Sequence, residues 1–167
     1  MTPSIRTRMP AHAPSAASAD DHESLRLWLR LFTCTTLIER RLGSTLKRDF
    51  GSSLPRFDLL AQLDRAPKGL RMGELSERIL TTGGNVTWLV RALEADGYVS
   101  RRVASDDKRA AIVKLTTAGR RHFATMARAH EQWIISMFAS LTPVERRTMH
   151  ARLGIVKEQF RHSRTPE

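Results

Sequence analysis

Between Tyr98 and Leu115 two short runs of strand character, YVSRRV and AAIVKL, face each other across the turn ASDDKR. From Ser24 onward, the rest of the chain has apolar residues at helical spacing. A lone hairpin buries too little surface to stand by itself in water, so it must lie against helices. One hairpin among helices is a narrow specification, and it sets the reading of everything else.

From Ser24 to about Phe50, Trp28, Leu31, Ile38, Leu42 and Leu46 mark one face of a long helix, and Leu25, Leu29 and Phe32 widen that face beyond what one neighbour would cover. The segment SSLPRFDLLAQL then offers Ser53 as a cap and Pro55 in the first turn, with Phe57, Leu60 and Leu63 inward. Pro67 and Gly69 stop that helix. A short helix is expected around Met72 to Leu80, and another from about Gly83 to Asp96 with Val86, Leu89, Val90 and Leu93 inward. Gly97 is the stop signal, free to take the left-handed conformation at a helix end. Thr116 caps a second long helix to about Ser140, whose inner face carries Phe123, Met126, His130, Trp133 and Met137. In LTPVE, Thr142, Pro143 and Glu145 form a capping box for a last helix that buries Met149, Leu153, Val156 and Phe160.

Two short helices with a tight break and then a hairpin describe a winged helix-turn-helix. The expected class is mainly α with a small β-hairpin. The winged helix-turn-helix occupies 51–116, dimerisation helices lie at 23–50 and 117–163, and a disordered tail covers 1–22. The outer helices are too apolar to stand alone and are expected to pair in a homodimer. The tail is rich in Pro, Ala and Ser and buries too little to fold.

Composition bears on the partner. Lys and Arg number 28 against 17 Asp and Glu, a formal charge of +11, which favours an anionic partner, nucleic acid before an acidic membrane. The single cysteine excludes an intrachain disulfide and fits a reducing cytoplasm. No stretch approaches the roughly 20 apolar residues of a membrane span.

The helix beginning at Thr82 presents Gly84, Asn85, Thr87, Trp88 and Arg91 outward. Such residues suit base edges: Asn for adenine, Arg for guanine, Thr for the thymine methyl. The alternative is a solvated helix with Trp88 folded onto a neighbour, but the adjoining hairpin favours DNA. Lys108 and Arg109 at the hairpin tip would then reach the minor groove of double-stranded DNA, with Asp107 pre-setting the direction of Arg109. Arg101 and Arg102 at the base would meet phosphates.

Residues 80–119 resemble the core of the MarR family of bacterial transcription regulators. The resemblance rests on Leu93, Glu94, Gly97, Tyr98 and Val99, then Asp107 and Arg109, then Val113, Leu115, Thr116 and Gly119, and it extends over roughly 24–162. Arg91 and Ala92 replace the family's frequent Asp-Arg, and Ala104 and Ser105 its usual Asp-Pro. The resemblance implies a homodimeric repressor on a pseudo-palindromic operator, released by a small effector. TGGNVTWLV is similar to the branch governing aromatic-acid and hydroxycinnamate catabolism, some of whose inducers are CoA thioesters.

On this reading the effector site draws on Trp28, Phe32, Phe57 and Trp133 as aromatic walls, and on Arg40, Arg41 or Arg56 for a carboxylate or phosphate. His130 is either a core histidine or a ligand-orienting group. Cys34 is expected to be a buried or idle thiol rather than a peroxide sensor. No zinc spacing, nucleophile elbow or acid pair appears in the sequence, so neither an enzyme nor a cofactor is expected. Two alternatives remain: a basic protein-interaction module without sequence-specific DNA binding, and a thiol-based redox regulator using Cys34.

Overall fold

The computed structural model describes residues 19–79, 86–103 and 111–162. Helix α1 (Ala19–Phe50) is followed by α2 (Leu54–Asp64), strand β1 (Leu70–Arg71), α3 (Met72–Arg78) and α4 (Val86–Ala95). Strands β2 (Val99–Val103) and β3 (Ala111–Leu115) lead into α5 (Thr117–Met137) and α6 (Pro143–His162). This is the expected class, mainly helical with a small sheet, in winged helix-turn-helix order.

The sheet has three strands in the order β1-β3-β2, both pairings antiparallel. The hairpin is as expected, with Arg101 opposite Val113 and Arg102 opposite Ile112. Strand β1 is an addition: two residues, Leu70 and Arg71, pair with Val113 and Ile112. Gly69 permits this approach. Its φ is 90°, and a Cβ there would lie 2.6 Å from Cγ2 of Ile112.

By compactness the chain divides into 1–38 and 39–167, so the cut falls inside α1. Within the second unit, one core joins the end of α1 to the winged domain and α5. Leu46, Leu60, Leu75, Leu93, Val113 and Met126 are essentially inaccessible. At the end of α4 the Tyr98 amide donates to Leu93 O (2.9 Å) and the Gly97 amide to Glu94 O (2.9 Å), with Gly97 at φ 74°. That paired closure is the helix stop that Gly97 signalled. Thr116 accepts from the Gly119 amide at 2.9 Å as the α5 cap, and its hydroxyl donates to Gly97 O at 2.7 Å. The exit of α4 and the start of α5 are thereby tied together.

Several expectations need correction. Helix α1 starts at Ala19, inside the segment assigned to the tail, because residues 19–23 contain neither Gly nor Pro to stop it. Ser53 stands at the cap of α2 without a side-chain cap bond. Helix α5 ends at Met137, where Arg146 from α6 donates to Phe138 O (3.2 Å) and Leu141 O (2.6 Å) and takes up carbonyls at the turn. The Thr142–Glu145 capping box forms as expected, the Thr142 amide donating to Glu145 Oε2 at 2.7 Å. Met149, Leu153, Val156 and Phe160 of α6 are not buried within the chain, Phe160 being 70% exposed. Leu42 is buried in its own chain, because it lies on the part of α1 that belongs to the core.

Candidate nucleic-acid interface

Helix α4 is divided by its own periodicity. Leu89, Val90 and Leu93 enter the core, and Thr87, Trp88 and Arg91 lie on the exposed side, Trp88 at 62%. The structure therefore brings these three expected residues onto one face. Thr82, Gly84 and Asn85 lie outside the described residues, as do Asp107, Lys108 and Arg109.

Strand alternation separates the two arginines of β2. Arg101 stands on the face shared with Val99 and Val113, toward α4, and its Nε and Nη2 both donate to Glu94 Oε2 at 2.7 Å. Arg102 points the other way and is exposed. The pair expected on phosphates is thus split: Arg102 is presented, while Arg101 is held by α4. The sequence places Glu94 only in the family motif and not in an ion pair. The signal was there, a glutamate in the last turn of the helix followed seven residues later by an arginine on the adjoining strand.

A second ion pair secures the same end of α4. Arg56 of α2 donates through Nη2 to Asp96 Oδ2. Arg56 was expected to meet an effector carboxylate; here a carboxylate of the chain itself occupies it.

The other residues assigned to an effector fall into two groups. In the first unit Trp28 and Phe32 pack on each other, centroids 5.5 Å apart, and both are exposed. In the second unit Phe57 stacks on His130 at 4.6 Å and meets Phe123 at 5.5 Å, while Trp133 meets Phe50 at 6.1 Å. Burial pushes His130 below the usual histidine range, which disfavours the charged ring where it packs among aromatic rings. Arg40 and Arg41 are exposed. Cys34 is exposed, so of the two expectations, a buried or an idle thiol, burial is corrected: Leu31 and Ile38 beside it on α1 are only half-buried.

Among the described residues no group of three or more His, Cys, Asp or Glu could hold a metal ion, and no helix is long and apolar enough to cross a membrane.

Known proteins share both sequence and fold with this chain. A model of the MarR family matches residues 50–110. The HTH-type transcriptional repressor YetL of Bacillus subtilis is 30% identical over 153 residues, 89% of either chain. The crystal structure of a MarR family transcriptional regulator from Silicibacter pomeroyi superposes with a TM-score of 0.75 at 31% identity, covering 86% of this chain and 99% of that one. Sco3205, a MarR family transcriptional regulator from Streptomyces coelicolor solved in complex with DNA, gives a TM-score of 0.74 at 27% identity, covering 89% and 92%. These relatives are transcriptional regulators, not enzymes.

Proposed function

The chain belongs to the MarR family, and from that membership we propose that it is a ligand-responsive repressor binding a pseudo-palindromic DNA operator as a homodimer. The observation that carries this reading is the outer face of α4, where Thr87, Trp88 and Arg91 are exposed on the helix that leads into the wing, whose strand β2 exposes Arg102. Residues of this kind on a helix face meet base edges, and an exposed arginine of the wing meets backbone phosphate. The likeness to a regulator solved on DNA supports it, and a charge of +11 supplies the long-range attraction. The name of the B. subtilis relative supports repression over activation.

The homodimer is supported by apolar residues left uncovered on the outer helices: Leu25 and Trp28 on α1, Leu153, Ile155 and Phe160 on α6. Large apolar side chains left exposed on a helix mark a protein interface. The Trp28–Phe32 pair joins that face in this reading.

For the effector we assign a small aromatic acid or its CoA thioester. The rings of Phe57, His130 and Trp133 offer stacking, and Arg40 and Arg41 offer cations to a carboxylate or phosphate. Such a ligand releases DNA only by binding the DNA-incompetent state more tightly, by the free energy it removes from operator binding. Footprinting the promoter beside the protein's own gene tests the assignment. A two-fold symmetric footprint that an aromatic acid or its thioester abolishes supports it. A footprint indifferent to these compounds but lost with peroxide transfers release to the exposed Cys34.

A further inference from the structure

Arg56 and Asp96 are 40 residues apart in sequence, yet their side chains meet where α2 passes the exit of α4. The Arg56 side chain is 20% exposed, and its Nε is buried with no hydrogen-bond partner. Asp96 is its one ion-pair partner among the described residues. A cation so placed depends on that carboxylate, because an uncompensated charge at a largely desolvated site is costly. Removing Asp96 obliges the junction to open until water reaches Arg56.

The junction matters because of what leaves it. Asp96 directly follows α4, and Gly97 and Tyr98 turn the chain into the wing. Core packing of Leu89, Val90 and Leu93 sets how deep α4 lies. Polar ties restrain the exit as well, among them Glu94 to Arg101, Gly97 O and Tyr98 O to Thr116, and Asp96 to Arg56. In the Glu94–Arg101 pair both groups are more than a third exposed, whereas in the other pair the Asp96 carboxylate is 45% exposed and the Arg56 side chain only 20%. Arg56 is the most desolvated of the charged groups.

We propose that Arg56 is a positioning residue for DNA recognition, fixing the angle of α4 through Asp96 without touching DNA itself. The inference rests on reading α4 as the recognition helix. It gives Arg56 a place in the machinery different from that of an effector's carboxylate partner.

The test is operator affinity and its salt dependence for the wild type, Arg56→Asp, Asp96→Arg and the double exchange, with unfolding midpoints recorded for each. The expected result is that either single exchange weakens operator binding on the order of tenfold, within the range through which separate sites couple to binding. The double exchange restores affinity to within roughly threefold, since the pair is re-formed with its charges reversed. The salt slope stays unchanged throughout, because no phosphate contact is lost. Should a single exchange fail to fold, Asp96→Asn and Arg56→Lys take its place, with lysine recovering more affinity than leucine at the same position. Single exchanges that bind like the wild type overturn the inference, as does a double exchange no better than either single one. A slope that drops by about one unit on losing Arg56 also overturns it, since that marks a direct phosphate contact. A wild type that binds all DNA alike overturns the DNA-binding reading, and this inference with it.

Discussion

The imidazole of His122 lies flat against the phenol ring of Tyr98, centroids 4.2 Å apart and planes within 2° of parallel. Burial pushes His122 below the usual histidine range. The Arg56 guanidinium pushes the same way, and Asp96 opposes it. His130, stacked on Phe57, is lowered by burial alone. For both groups the unfolded chain binds a proton more readily than the folded one. Stability is therefore complete above the unfolded value of 6.5 and is lost as pH falls through the window below it. The unfolding midpoint should drop between pH 7.5 and 5.5, and replacing both histidines with Phe, which keeps the stacks, should flatten that dependence. A pH profile unaltered by the double replacement would contradict the assignment.

A Cβ on Gly119 would stand 1.9 Å from the carbonyl oxygen of Tyr98, so the start of α5 can lie on the α4–β2 turn only without a side chain there. Gly119→Ala should cost roughly 1–3 kcal/mol as the turn is forced away. Gly43, in α1, has nothing within 4 Å of such a Cβ, and Gly43→Ala should stabilise by roughly 0.5–1 kcal/mol. Urea unfolding of the two variants separates these signs; a neutral Gly119→Ala would show that the contact is loose.

Much of this fold was legible because its local signals agree. The β-branched runs, the Gly97 stop, the Thr116 cap and the Thr142–Glu145 box each appear where the residues place them. Strand β1 was not legible: two residues carry no alternation, and only the pairing with Val113 and Ile112 makes Leu70 and Arg71 a strand. The inward face of α6 was misjudged for a related reason. Helical spacing identifies an apolar stripe but not whether the same chain covers it, and Leu153 and Phe160 remain exposed here. At the site, periodicity found the outer face of α4, whereas Arg56–Asp96 was invisible because 40 residues separate the partners.

That distinction between core and uncovered face is testable at two leucines. Leu42 is 5% exposed and Leu153 is 43% exposed. Leu42→Glu should abolish cooperative folding, because it buries an unpaired charge in the core. Leu153→Glu should leave a folded chain that sediments as a monomer. A Leu153→Glu variant that remains a stable dimer would remove α6 from the interface.

At the wing, Arg109→Ala should weaken operator binding and lower the salt slope by about one unit, the signature of one neutralised phosphate-lined site. Arg91→Ala should instead relax base preference at one position of each half-site by about 1–3 kcal/mol, leaving affinity for random DNA nearly unchanged. Footprint titrations across a mutated operator series distinguish the two.

Sequence-specific recognition by α4 and the wing is tested by one binding comparison. The protein is titrated, at one fixed salt concentration, against the promoter beside its own gene and against random duplex of equal length. The promoter is expected to be preferred by roughly 10³-fold or more, with two half-sites about one helical turn apart. Equal affinity for the two duplexes would contradict it and leave a basic chain that binds DNA by charge alone.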